Sequence, residues 1–219
     1  MKYYDIHTHQ PSVHPEDIAV INFDPIRMKS EFLSEENQIS LERNLFSCGI
    51  HPWYIENAEI QLKELKSLLF LPEIVAVGEA GFDKLAQTSL SVQQDIFFAQ
   101  ARLAEDCAKP LIIHCVKAWQ EIIAAKKRIR PHVPWIIHGF RGNGELAVQL
   151  VNQGFYLSFG EYFNVEALQA VWPDRLLVET DDKQIDIRLV YTKLAEALSV
   201  DMELFTHQIE ENIIGVGIK

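Results

Sequence analysis

The sequence predicts an α/β chain of the TIM-type (β/α)8 barrel class, trimmed and lacking its first crossover helix. Two observations lead there. Eight short β-branched runs alternate with amphipathic helical patterns, the signature of parallel strands joined by crossovers. Almost every run ends in a histidine or a carboxylate, and in such a barrel those ends meet at one mouth. A doubly wound open sheet is the alternative, but no G-x-G-x-x-G or P-loop supports it. With 219 residues, 48% of them hydrophobic, residues 1–219 suffice for one domain with a sizeable core.

In order, the first strand is read at Tyr3–Thr8 and the second at Ile18–Phe23. Between them, only the eight residues Gln10–Asp17 follow His9, and they include Pro11 and Pro15, too few for a crossover helix. A third strand at Leu45–Ile50 leads to a helix over 57–70 that carries Ile60, Leu62, Leu65, Leu68 and Leu69. The fourth strand, Ile74–Gly78, precedes a helix near 92–108, opened by Ser91 and Gln94 in capping-box spacing. Strands at Pro110–His114, Trp135–His138, Phe155–Phe159 and Arg175–Glu179 follow, with helices over 117–130, 144–153, 163–171 and 186–198 and a last one at Asp201–Ile214.

Composition excludes several classes. Twenty basic against 31 acidic residues give a net charge of −11, so non-specific coating of nucleic acid or anionic membrane is disfavoured, though a local positive pocket is not. Cys48, Cys107 and Cys115 show no C-x-x-C spacing and suit a reducing compartment. The start MKYYDIHTHQ lacks the apolar core of a signal peptide, and the longest apolar run, SLLFLPEIVAV, is broken by Pro72 and Glu73. The expectation is a cytoplasmic protein without a membrane partner.

The strand ends carry the chemistry. The first ends in His7-Thr-His9, the third in His51, the fourth in Glu79, the fifth in His114, the sixth in His138 and the eighth in Glu179-Thr-Asp181. Each alone has an ordinary explanation: an H-x-H pair as polar surface, His114 as a rim histidine, Asp181 as a helix cap. Their recurrence at equivalent ends of different strands favours a metal centre. His14, His132 and His207 are assigned no role, and Cys115 points away from the face of His114.

Four imidazoles and two carboxylates exceed what one catalytic zinc takes, so two divalent ions are expected, Mg, Mn or Zn. His7, His9, Glu79 and Asp181 would hold one; Glu79, as the bridging carboxylate, with His114 and His138 the other. Such a pair polarises a phosphoryl or carbonyl oxygen, and Asp181 is the natural base for the attacking water. Glu179 stands behind the set, and Asp5 is placed to hydrogen-bond a ligand imidazole. Lys84, Lys117, Arg141 and Lys183 follow strand ends and would form a local anion funnel, which favours a phosphate substrate.

The motifs DIHTH, CGIHPW, VAVGEAGFD, Gln93–Phe97–Gln100–Leu103–Ala104, PLIIHC, IIHGFRGN with GFYLSFG, and LLVETDD recur in this order over residues 4–182. Together they resemble the TatD family of metal-dependent hydrolases, within the amidohydrolase-like barrels. The resemblance implies a divalent-metal nuclease that removes nucleotides from the 3′ end of DNA or RNA. It implies that His7, His9, Glu79, His114, His138 and Asp181 stand at metal-ligand positions and His51 at the substrate-phosphate histidine. Departures occur where Trp53-Tyr54 replaces a second histidine, GFDK replaces GLDY, HGFRG replaces HCFSG, and ETDD lacks the usual alanine-proline. A trimmed rim and the acidic balance point to nucleic acid ends, oligonucleotides or small phosphoesters rather than a long groove.

Two other functions fit the residues. A metal-dependent amidohydrolase or lactonase would use the same ligands, although related barrels often bridge their metals with a carboxylated lysine and Glu79 stands there instead. A catalytically silent binding barrel would not need the full set.

Overall fold

Strands that are buried on both faces need near-continuous apolar runs, and LII, WII and LLV in this chain supply them. The computed structural model describes residues 1–32 and 45–218. Its strands are β1 (Tyr4–Thr8), β2 (Ile18–Phe23), β3 (Leu45–Cys48), β4 (Ile74–Asp83), β5 (Leu111–Val116), β6 (Trp135–Ile137), β7 (Phe155–Phe159) and β8 (Leu176–Val178). They form one eight-stranded sheet in chain order. β1–β2, β3–β4, β4–β5, β6–β7 and β7–β8 all pair in parallel. A parallel bridge between Thr8 and Asp181 brings the segment after β8 back to the end of β1. This is (β/α)8 connectivity. Residues 9–17 form only bends and turns, so the crossover between β1 and β2 has no helix, as expected.

The helices are α1 (Pro25–Phe32), α2 (Ala58–Leu68), α3 (Leu90–Asp106), α4 (Trp119–Ile129), α5 (Gly144–Asn152), α6 (Val165–Val171), α7 (Ile187–Leu198) and α8 (Met202–Gly215). α1 is absent from the sequence reading. It begins with Pro25 after Asp24, whose carboxylate accepts from the backbone N–H groups of Ile26 and Arg27; among its described side chains Pro25 and Met28 are buried and Ile26, Arg27, Lys29 and Ser30 exposed, which makes no continuous apolar stripe. α3 starts earlier than expected, with Ser89 at the N-cap position, so Ser91 and Gln94 lie inside the helix and form no capping box. Asparagine or aspartate side chains cap α2, α5, α6, α7 and α8. Among the described residues, no helix is long and apolar enough to cross a membrane.

The chain divides into two compact units, Met1–Ile21 with Trp135–Lys219, and Asn22–Pro134. In the first, Ile6, Ile136, Leu157, Leu177, Val190 and Leu194 are buried. The Tyr191 hydroxyl on α7 accepts from Tyr4 N–H at 3.1 Å and donates to Tyr4 O at 3.0 Å, which fixes α7 against the start of β1. In the second, Phe46, Phe82, Phe97 and Ile112 are buried, with the Phe82 and Phe97 rings 4.9 Å apart. Lys109 Nζ donates to the carbonyls of Leu69 and Leu71, and to that of Ile74, closing the C-terminal end of α2.

β4 runs five residues past its expected end. Its two glycines mark close approach of backbone to β5. A Cβ on Gly81 would lie 1.9 Å from His114 O, and one on Gly78, at φ +144°, would lie 2.6 Å from Ile112 O. The register shifts between Val77 and Ala80, and pairing resumes with Ala80 opposite Ile113 and runs on to Asp83 opposite Val116.

Candidate functional site

In the first unit, the H-x-H segment and the E-T-D segment are held side by side by backbone. Asp181 N–H donates to His7 O at 3.0 Å and His9 N–H donates to Asp181 O at 3.2 Å, with Asp181 in the left-handed region at φ 57°. His7 Nε2 lies 3.6 Å and His9 Nε2 3.8 Å from Asp181 Oδ1; His7 is fully buried, whereas His9 is exposed. His138, just past β6, holds its ring 4.2 Å from that of His7 at a 48° tilt. One ligand atom each of His7, His138 and Asp181 lies within 4.8 Å of the others. Tetrahedral ligands at about 2.1 Å from a cation stand about 3.4 Å apart, close to the 3.6 Å between His7 Nε2 and Asp181 Oδ1, and two imidazoles with a carboxylate are a donor set suited to a divalent transition metal.

Glu179 holds this group from behind. Its Oε1 accepts from Gly139 N–H at 2.7 Å and lies 3.6 Å from His138 Nδ1, so the carboxylate orients that ring. Burial pushes the Glu179 carboxyl up, but the His138 contact and the His7 and His138 charges outweigh it, and the group sits below the usual carboxylate range. Asp5, expected beside a ligand imidazole, instead accepts from Thr180 N–H at 3.1 Å and Thr180 Oγ1 at 2.6 Å. It fixes the residue between Glu179 and Asp181, and burial raises its pKa to about 8.

The second unit gathers His51, Glu79 and His114. His114 Nδ1 is 2.7 Å and His51 Nε2 3.3 Å from Glu79 Oε1. His114 Nε2 is 3.1 Å from Oδ2 of Asp83, a fully buried carboxylate at the end of β4 that sequence reasoning missed. This is a second carboxylate–histidine pair, and the other nitrogen of the same ring, Nδ1, faces Glu79. Burial pushes Asp83 up, but hydrogen bonds from Leu85 N–H, His114 and Trp53 bring it below its ordinary value.

His51 has a different donor pattern. Its Nδ1 accepts from Trp53 N–H at 3.1 Å, so in the neutral ring the proton sits on Nε2. An Nε2–H donor suits an oxyanion better than a cation.

Three polar side chains outside the predicted set position these groups. Asn22 Oδ1 on β2 accepts from Glu79 N–H at 2.9 Å. Gln93 accepts from Asp83 N–H at 2.8 Å and donates to Asp83 O at 2.9 Å. Gln100, two turns further along α3 on the same face, accepts from Ile50 N–H at 2.7 Å, one residue before His51. Both glutamines stood in the quoted helix motif without a role.

The expected cations divide. Lys84 Nζ lies 2.7 Å from Glu121 and Lys183 Nζ 2.6 Å from Asp182, so carboxylates offset both charges. Lys117 is exposed at a left-handed φ of 55°, and the exposed Arg141 guanidinium lies 5.7 Å from the Tyr162 ring centroid. Within its own unit His138 groups with His7 and Asp181, and within the other His51 groups with Glu79 and His114.

Residues 17–216 match the family model described as TatD related DNase. The chain is 32% identical over 178 residues to the uncharacterized metal-dependent hydrolase YabD of Bacillus subtilis, covering 76% of this chain and 68% of that protein. It is 31% identical over 150 residues to the 3′-5′ ssDNA/RNA exonuclease TatD of Cronobacter turicensis, covering 62% of this chain and 56% of that one. The match thus spans little more than half the length of several curated relatives, including 55% of YcfH of Escherichia coli. The crystal structure of YJJV, a TatD homologue from Escherichia coli, superposes with a TM-score of 0.84 at 18% identity, over 98% of this chain and 97% of that one. That likeness is one of fold.

Proposed function

From the premise that the chain belongs to the TatD-related DNase family, we propose that it is a divalent-metal-dependent phosphodiesterase that removes nucleotides from the 3′ ends of DNA, RNA or short oligonucleotides. The observation that carries this reading is the approach of His7, His138 and Asp181 to ligand distance of one another, with Glu179 behind His138. His7, His9, His138 and Asp181 would hold one cation, and Glu79 with His114 a second. Imidazole-rich donors favour Mn or Zn over Mg by softness.

Bound cations would polarise the phosphoryl group and acidify water. The chain's own residues do the rest. Asp181 takes the proton of the water that attacks phosphorus and passes it to the leaving 3′ oxygen as the P–O bond breaks. His51 donates Nε2–H to a non-bridging phosphate oxygen. Lys117 and Arg141 draw the anionic end in. The net charge of −11 supports an end or a short strand as substrate rather than a long duplex.

The family match over residues 17–216 supports one hydrolase domain across 1–219, and the three free cysteines suit the reducing cytoplasm. The test uses chelator-stripped protein with Mn, Zn or Mg restored, on 5′-labelled single-stranded DNA and RNA beside lactone and hydantoin substrates. Stepwise shortening from the 3′ end, abolished by EDTA, is the expected result. Turnover of cyclic amides or esters alone would replace this reading with the amidohydrolase one.

A further inference from the structure

Trp53 and Tyr54 are 56% and 57% exposed, and both border His51. The Trp53 ring meets His51 edge-on at 5.5 Å between centroids, and the Tyr54 ring lies at 5.4 Å with a 42° tilt. An exposed indole costs apolar hydration, and one free to rotate would lose rotamer freedom on binding a ligand. Trp53 is not free to rotate. Its Nε1–H donates at 2.6 Å to Oδ2 of the fully buried Asp83, and its own N–H donates to His51 Nδ1 at 3.1 Å. Asp83 in turn is clamped by Gln93 on both its backbone groups. The polar edge of the indole is therefore fixed inward by a charge-assisted bond while much of its surface stays open beside the phosphate histidine.

We propose that Trp53, backed by Tyr54, is a stacking platform for the base of the terminal nucleotide whose phosphate meets His51. The proposal rests on the nuclease reading and narrows its substrate to nucleotide units rather than sugar phosphates or other small phosphoesters. Base stacking on an aromatic face tolerates every base, so the platform adds affinity without sequence preference. Preorganisation by Asp83 lowers the ordering cost of that stack. The same carboxylate lies 3.1 Å from His114 Nε2, so the indole that receives the base is tied to a metal-ligand histidine.

The test compares single-stranded oligonucleotides ending in 3′ thymidine with the same strands ending in an abasic tetrahydrofuran unit. In the wild type, the base-bearing end should show a KM about 5- to 150-fold lower, the range base–aromatic stacking supplies. Trp53→Leu should bring that ratio close to one. Trp53→Phe keeps a ring but removes Nε1–H, so it should keep most of the ratio while lowering kcat equally on both ends. A wild-type ratio near one, or an unchanged ratio in Trp53→Leu, overturns the platform. Fluorescence anisotropy with the same two strands in EDTA reads base preference without turnover. A preference there that Trp53→Leu erases upholds the platform even if no metal supports hydrolysis, in which case the nuclease reading alone fails.

Discussion

The side chain of Gln100 closes a two-point hydrogen bond on the backbone of Ile50: Oε1 accepts from the N–H at 2.7 Å and Nε2 donates to the carbonyl at 3.0 Å. All four atoms are buried, and Ile50 immediately precedes His51. An amide from a helix therefore completes the ladder where β3 has already ended at Cys48. Gln100→Leu leaves two buried backbone groups unpaired at about 1–3 kcal/mol each, so a loss of about 2–6 kcal/mol is expected in urea unfolding. A loss under about 0.5 kcal/mol would mean that water or relaxation replaces the clamp.

Asp181 is the only proposed proton acceptor placed against both histidines of the H-x-H pair. Asp181→Asn keeps the shape and one oxygen but loses the base, so kcat should fall at least about 100-fold while Tm holds within a few degrees. Metal content measured alongside separates a lost base from a lost ligand. Activity near that of the wild type would remove Asp181 from the proton path.

Much of this was legible in the sequence because burial on both faces leaves a plain signature. Runs such as LII of β5 and LLV of β8 admit few readings, and the histidines at strand ends stand out from them. What escaped has physical reasons as well. Among the described side chains of α1, exposed Ile26, Arg27, Lys29 and Ser30 leave no periodic apolar stripe. β4 continued through glycines that mark close backbone approach, so Asp83 was read as loop. Gln93 and Gln100 carried no sign of their role, because a glutamine that satisfies buried backbone is indistinguishable in sequence from one that faces water. Asp5 was placed on the correct strand face, but its carboxylate found Thr180 rather than an imidazole.

The expected anion funnel should prove uneven. Lys117→Ala and Arg141→Ala should each weaken binding of a short anionic strand about 3- to 10-fold and flatten the salt dependence, with metal content unchanged. Lys84→Ala and Lys183→Ala should do less, because Glu121 and Asp182 already offset those charges. Titrations at two salt concentrations decide this, and equal effects from all four substitutions would contradict the pairing argument.

Metal removal should show in stability as well as in activity. A ligand at one hundred times its Kd stabilises the native state by about 2.7 kcal/mol, equivalent to about 5–10 °C in Tm for a chain of this size. EDTA should lower Tm by that order and added Mn or Zn restore it. A Tm indifferent to both would favour the silent binding barrel.

Glu105 gives the acid side of the stability profile. Burial pushes its carboxyl up, but backbone N–H groups of Val133 and His132, at 3.0 and 2.9 Å, and the His132 ring outweigh it, so its folded pKa is lowered. A depressed carboxylate contributes stability that is fully present above its unfolded value, about 4.3, and is lost as pH falls through the folded value. Glu105→Gln should therefore be less stable than the wild type from neutral pH down to about pH 5, and the gap should close below about pH 4. The comparison is made by urea midpoints across that range. A gap that widened on acidification would reverse the sign and show that Glu105 is held neutral rather than ionised in the fold.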